Sequence, residues 1–314
     1  MSGKLVVTKD LLKLFLSERG IALQGNIEDK INKIANIKPI DIADKNDAAF
    51  CRFDGDKGLK YIQNTNAGLI FIPQSMENSL NEENKILLLC EFPRLEMLKF
   101  ILKFWKEEKY NLNLKNNSSI HESSIISDNA VIGPFTVIGP GVIIGPGSCI
   151  GANCHIENTS IGSKVEIASG VSIGGNGFGF EDDIESGVSL QFPHIGGVHI
   201  GDNVSIGSNT CIDRGSIGDT IIEDNVKIDN LCHIAHNVYV GEGSKIIALS
   251  MIGGSVHIGS NSWISPSSTI RDWRKIGKNT LVGLGAVVVK DVEDGEVVIG
   301  NPAKPFKKIT NRYK

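Results

Sequence analysis

From Ile222 to Val288 an aliphatic, β-branched residue stands at every sixth position: Ile222, Ile228, Ile234, Val240, Ile246, Ile252, Ile258, Ile264, Ile270, Ile276, Val282 and Val288. Glycine directly follows several of them, as at Gly241, Gly253, Gly259, Gly277 and Gly283. A period of six fits neither the 3.6 of a helix nor the alternation of a half-buried strand. It marks a hexapeptide β-helix, in which short strands wind around a prism-like core. The same beat runs through Ile120, Ile126, Ile132, Ile138, Ile144, Ile150 and Ile156, then slips by one residue to Ile161, Ile167 and Ile173. It breaks there and resumes at Ile195 or Ile200. Three hexapeptides make a coil of about eighteen residues, so the two blocks give roughly nine coils.

The first 110 residues lack this rhythm. Asp10 to Ser17 spaces its leucines as a helix would, with Thr8 available as a cap. Ala67–Pro73 and Ile86–Cys90 suit buried strands. Pro93 opens a helix over Arg94 to Glu108, with Leu95, Leu98, Ile101, Leu102 and Trp105 on one face. The domain order is therefore a small α/β domain over 1–110, a polar linker over 111–119, a β-helix over 120–292, and a cap with a basic tail over 293–314. A glycine- and phenylalanine-rich loop interrupts the β-helix at 175–196, and insertions of this kind commonly line a binding face.

Composition narrows the function classes. The chain has 314 residues and a net charge of −4, with both signs mixed, which gives no nucleic-acid surface. No apolar run is long enough for a membrane span, and the N-terminus lacks the core of a signal peptide, so a cytoplasmic protein is expected. Cys149 and Cys211 precede repeat isoleucines by one, and Cys154 and Cys232 by two, which reads as packing in a reducing compartment.

The repeat also sorts the histidines. His155, His194, His199, His233 and His257 all precede an isoleucine of the apparent repeat, a phase that points away from the core. His236 stands two residues after Ile234, at a corner. With eighteen residues per coil, Gly254 should lie over it and Gly218 beneath it. A base beside an N–H donor, open to solvent between glycines, is what acyl transfer needs. Cys232 as an acyl-carrying nucleophile is the rival, although its phase suggests packing.

Three motifs occur in order: Asn176-Gly-Phe-Gly-Phe180, Ile212-Asp-Arg-Gly215, and Ile228-Asp229-Asn230 followed by Ile234-Ala-His-Asn-Val238. With Phe50-Cys-Arg-Phe53 and Asn66-Ala-Gly68 they resemble the UDP-3-O-acylglucosamine N-acyltransferases of lipid A synthesis, over residues 1 to about 260. The resemblance implies a homotrimeric, left-handed parallel β-helix with active sites between subunits. It implies His236 as general base and Gly254 as the oxyanion N–H. It further implies Phe50 and, less closely, Phe53 against uracil, and Asn176, Phe178, Phe180, Asp229 and Asn230 around the substrate. No permanently bound cofactor or metal is implied; the co-substrate is an acyl thioester.

After Gly259 the match weakens. Trp273 stands where the family carries a second histidine, and no counterpart of its C-terminal helices follows. Leu281–Val292 and Gly300-Asn-Pro-Ala-Lys304 instead resemble acetyl-CoA-dependent enzymes acting on nucleotide-linked amino sugars. The expectation on this basis is acyl-CoA as donor of a short acyl group, held by Lys290, Lys304 and Lys307, with Lys308 and Arg312 nearby. Acylation by acyl carrier protein, as in lipid A synthesis, is the alternative. A non-catalytic scaffold gives no reason for a corner histidine beside such an insertion, and a metal-dependent hydratase needs converging histidines that the coil spacing does not supply.

Overall fold

The computed structural model describes residues 3–25, 27, 33–77, 85–107, 117–183 and 187–308. The chain divides into two compact units, Met1–Asn111 and Leu112–Lys314. No helix among the described residues is long and apolar enough to cross a membrane.

The first unit carries a five-stranded sheet in the order Ala22–Gln24, Ile86–Cys90, Leu69–Pro73, Asp47–Phe50, Asn36–Ile37. Only the first pairing is antiparallel. The two central strands are the apolar runs of the sequence, buried on both faces as parallel strands require. Alternation divides them between two cores. Phe71 and Leu88 join Phe15 and Phe100 on one face, whereas Ile70, Ile72 and Leu87 join Ile62 on the other.

Two expectations for this unit need correction. The helix Lys9–Arg19 has Thr8 at its N-cap position, but the Thr8 side chain makes no capping hydrogen bond. The helix Pro93–Phe104 buries Pro93, Met97 and Phe100, while Leu95, Leu98 and Leu102 are exposed. The helix carries apolar residues on both sides, and the sheet takes the aromatic side, where Phe100 packs edge-on to Phe15 and Phe71. The structure adds the helix Gly55–Asn64 and the strand Asp47–Phe50 to the elements expected of this unit.

The second unit is a parallel β-helix whose three faces form sheets of nine, eight and ten strands. Most hexapeptides contribute a two-residue strand with the first side chain out and the aliphatic one in, as in Lys227–Ile228 and His257–Ile258. Residues two before the aliphatic are also buried, and they are small: Ser148, Cys154, Val204, Cys232, Val238, Ser244, Ser262 and Thr280. Their hydroxyls bond the carbonyls of the next coil, as Ser244 Oγ does to Gly259 O at 2.9 Å and Ser262 Oγ to Gly277 O at 2.8 Å. Buried hydroxyls are tolerated because they are satisfied.

Three residues after most of the aliphatics the backbone turns the corner through the left-handed region. Asparagine, which tolerates that conformation, fills it at Asn225, Asn237, Asn261 and Asn279, but Leu231, Leu249 and Trp273 occupy it too. The coils are not uniform. Ile144 pairs with Ile161, Ile161 with Ile200 and Ile200 with Ile222 before the eighteen-residue spacing returns at Ile222 and Val240. The repeat therefore resumes at Ile200, which is buried, whereas Ile195 is 70% exposed.

The interruption holds a hairpin of Phe180–Asp183 against Val188–Gln191. At the far end, Glu296–Ile299 joins the sheet edge beside Leu281–Val282 and pairs antiparallel with Lys304–Lys308. Pro305 lies in that outermost strand, where a missing N–H costs no ladder bond.

Ile252 is fully buried and its neighbour Met251 is 39% exposed. Ile252→Ala should lower the stability of the β-helix by about 2–5 kcal/mol in urea unfolding. Met251→Ala should change it by less than about 1 kcal/mol.

Candidate active site

A cavity of about 300 Å³ opens at one corner of the β-helix, lined by Phe178, Asp213, His233, Ala235, His236, Gly254, Asp272 and Trp273. Most of these residues come from the ends of four successive strands of one sheet, at Cys211–Asp213, His233–Ile234, Met251–Ile252 and Thr269–Ile270. His236, Gly254 and Asp272 each follow the buried isoleucine of their coil by two residues, so the ladder stacks them.

Gly254 lies against His236. A Cβ at residue 254 would stand 2.7 Å from His236 Nε2, too close for any side chain. Below, the arithmetic of a uniform coil fails. Cys211 pairs with His233 and Ile212 with Ile234, so this coil is longer than eighteen residues and Gly218 is not under His236. Gly218 instead accepts a hydrogen bond from Asn237 Nδ2 at 2.8 Å.

That bond helps to fix the protonation of His236. Asn237 Oδ1 accepts from the Ser216 backbone N–H at 3.0 Å and from Ser216 Oγ at 2.8 Å, which orients the amide. His236 Nδ1 lies 3.0 Å from the same Oδ1 and must donate to it. In the neutral ring Nε2 is therefore the bare nitrogen, on the side of Gly254. The Gly254 N–H has no acceptor among the described residues, although the Gly254 carbonyl accepts from Trp273 N at 2.9 Å.

His194 departs from the surface phase expected of it. It is buried, with its ring edge-on to His236 at 5.5 Å between centroids. The phase failed because Ile195 is not a repeat position. His194 Nδ1 lies 3.0 Å from the Phe192 carbonyl and so donates to it, which leaves Nε2 buried without a partner. Gly177 makes room for both rings, since a Cβ there would be 3.1 Å from His194 Nε2 and from His236 Cδ2. His233 keeps the expected outward phase and stands 3.6 Å from the Asp213 carboxylate.

Asp213, inside the Ile212–Gly215 motif, had no role assigned from sequence. Burial pushes its carboxyl above the usual carboxylate range, against the opposing pull of His233, His236 and His194. Burial also pushes the Cys232 thiol up, which leaves little thiolate for nucleophilic attack.

Of the other expected residues, Phe178 lines the cavity and is 85% exposed. Phe180 stands behind it at 5.0 Å between rings, and Asn176 is exposed outside the lining. Asp229 and Asn230 are not part of this cavity. Asp229 accepts from Asn230 N at 2.8 Å and Asn230 Oδ1 accepts from Ser208 N at 2.7 Å, so their side chains brace an adjacent corner. Trp273 lines the cavity from a left-handed corner at φ 60°. Lys290 and Lys304 are exposed on the last turns, and residue 307 lies in the terminal strand; Arg312 lies outside the described residues.

In the first unit Phe50 and Phe53 line a separate cavity of about 480 Å³ with Arg52, Tyr61 and Arg94. Phe53 stacks on Tyr61 at 5.3 Å, with Lys57 Nζ 3.7 Å from the Phe53 centroid. An aromatic floor beside guanidinium groups suits a flat, anionic ligand.

Known proteins share parts of this architecture. The pattern described as bacterial transferase hexapeptide (six repeats) matches residues 123–158 and 219–254. The chain is 45% identical over 148 residues to UDP-3-O-acylglucosamine N-acyltransferase 2 of Legionella pneumophila (strain Paris), covering 47% of this chain and 43% of that protein. It is 43% identical over 155 residues to the UDP-3-O-acylglucosamine N-acyltransferase of Rickettsia bellii, covering 49% and 45%. The chain thus spans less than half the length of these curated relatives. Among solved structures, LpxA from Acinetobacter baumannii superposes with a TM-score of 0.56 at 26% identity, covering 62% of this chain and 74% of that one. The UDP-N-acetylglucosamine acyltransferase of Francisella novicida gives 0.53 at 28%, covering 63% and 71%.

These names overturn the expectation of a short-chain, acyl-CoA-dependent acetyltransferase. That reading rested on the last turns and on Lys290, Lys304 and Lys307, whereas the relatives that match are named for acylation of UDP-3-O-acylglucosamine. The chain carries the repeats of the bacterial transferase hexapeptide family and, over the matched region, is similar to UDP-3-O-acylglucosamine N-acyltransferases.

Proposed function

We propose that the chain is an N-acyltransferase that moves an acyl group from an acyl carrier protein thioester to the amine of a UDP-3-O-acylglucosamine. The observation that carries this reading is the bare Nε2 of His236 beside Gly254, in a cavity open to substrate. Similarity to enzymes of that name supplies the substrate class.

In this reading the sugar amine attacks the thioester carbon directly, because a thioester is already activated. The C–N bond forms and the C–S bond breaks. His236 Nε2 takes a proton from the attacking nitrogen and delivers it to the departing thiolate. The Gly254 N–H holds the oxyanion in between. Phe50 and Phe53, which line the first unit's cavity, are proposed to meet uracil, as the resemblance implies. A homotrimer is proposed as the working form.

Incubation of the protein with UDP-3-O-acylglucosamine and either hydroxyacyl carrier protein or acetyl-CoA, followed by mass spectrometry, tests the donor and the reaction together. N-acylated sugar with the carrier protein alone is expected; product with neither donor sinks the proposal. His236→Ala should lower kcat by about 10²–10⁴-fold while the oligomer persists.

Asn237→Gly tests the tautomer. It removes the acceptor for His236 Nδ1 yet keeps a residue that tolerates the left-handed corner at φ 60°. A loss of about tenfold or more in kcat with little change in KM is expected. Unchanged kcat would remove Asn237 from the reaction.

A further inference from the structure

The cavity around His236 has donors on one side, at the Gly254 N–H and the Trp273 indole, while His236 and Asp213 present acceptors. His236 offers a lone pair at Nε2, because Nδ1 is committed to Asn237. Asp213 offers carboxylate oxygens. Its side chain is 17% exposed, its nearest basic neighbour is His233 Nε2 at 3.6 Å, and no N–H or O–H of the described residues donates to it at hydrogen-bonding distance. Asp272, the second carboxylate of the lining, is more than half exposed and stands 3.6 Å from Arg271. No lysine or arginine lines the cavity among the described residues.

A nucleophile held between His236 Nε2 and the Asp213 carboxylate has many donors and no acceptor. A protonated amine has three N–H donors and no lone pair, whereas a hydroxyl has one donor and two lone pairs that would face like groups. A charge-assisted bond from ammonium to a half-buried carboxylate is roughly twice as strong as a neutral one. We infer that Asp213 is a specificity-determining residue that binds the acceptor's ammonium group and so selects an amine over a hydroxyl at the reacting carbon. The inference rests on the N-acyltransferase reading and goes beyond it by assigning the choice of nucleophile to one side chain.

The proton count is consistent. The bound ammonium gives one proton through His236 Nε2 to solvent, and the neutral amine attacks. The nitrogen then loses its second proton through His236 to the departing thiolate, which leaves a neutral amide. Asp213 stays ionised throughout and keeps the remaining N–H in place.

The environment of Asp213 also separates binding from folding. His233, His236, His194 and Cys211 are the titratable groups that interact with it. Its carboxyl is raised in the folded chain by burial, so its contribution to stability is present below the unfolded-state value and is lost as pH rises through the folded one. Asn at this position does not titrate. Asp213→Asn should therefore melt no lower than the parent protein at neutral pH, with the difference fading under acid.

The test is calorimetric binding of UDP-3-O-acylglucosamine and of UDP-3-O-acylglucose, in which a hydroxyl replaces the amine, to the full-length chain. The parent protein should prefer the amine. Asp213→Asn should weaken the amine ligand by about 10–100-fold and change the hydroxyl ligand by less than about twofold. Asp213→Glu, which keeps the charge, should retain more of the preference than Asp213→Asn. Equal weakening of both ligands, or of neither, would overturn the role of Asp213. Failure of the parent protein to bind either sugar nucleotide would instead overturn the N-acyltransferase reading, and the inference with it.

Discussion

One coil of the β-helix is too thin to enclose anything by itself. It becomes a structure only because the next coil lays its aliphatic residue on the same axis and its small residue two positions earlier against the same wall. Ile228, Ile246 and Ile264 form one such column, and Ile234, Ile252 and Ile270 another, all almost wholly removed from water. Parallel pairing transmits this register along the sheet. The satisfied hydroxyls of Ser244, Ser262 and Ser268 extend it without requiring larger side chains.

The site is a by-product of that register. Because the isoleucines align, so do the residues two and three positions later. This sets His236 beneath Gly254 and Gly254 beneath Asp272, while Asn237, Ser255 and Trp273 share the left-handed corner beside them. Glycine at 254 is then an exclusion requirement, since even a methyl group would collide with the imidazole. Polarity comes from outside the register. The longer coil containing Ser216 and Gly218 brings the two groups that orient Asn237, and through it the tautomer of His236.

The β-helix was legible because its period is unlike that of any other regular structure, and the relation of Gly254 to His236 followed from counting. Counting failed where coils change length. Gly218 and His194 were misplaced because the chain between Ile161 and Ile222 departs from eighteen residues, a change that no local pattern announces. Asp213 could be found only with that lengthening known, because its neighbours come from the next coil and from the insertion. In the first unit, the two-sided apolar helix Pro93–Phe104 offered a leucine face that the structure leaves exposed. Aromatic packing against Phe15 and Phe71 decided which face is buried.

The unequal coils have one more consequence. Ile161 meets Ile200 across thirty-nine residues of chain, and Ile200 meets Ile222 across twenty-two, yet the isoleucine column continues unbroken. The core senses only that each coil returns to its mark, not how far the chain travelled in between. Extra residues inserted at a corner act like a vernier scale: they change which side chains face each other at the rim while every buried contact keeps its place. A fold of this kind can be given new chemistry by lengthening a single turn, at a site where stability has little influence over the outcome.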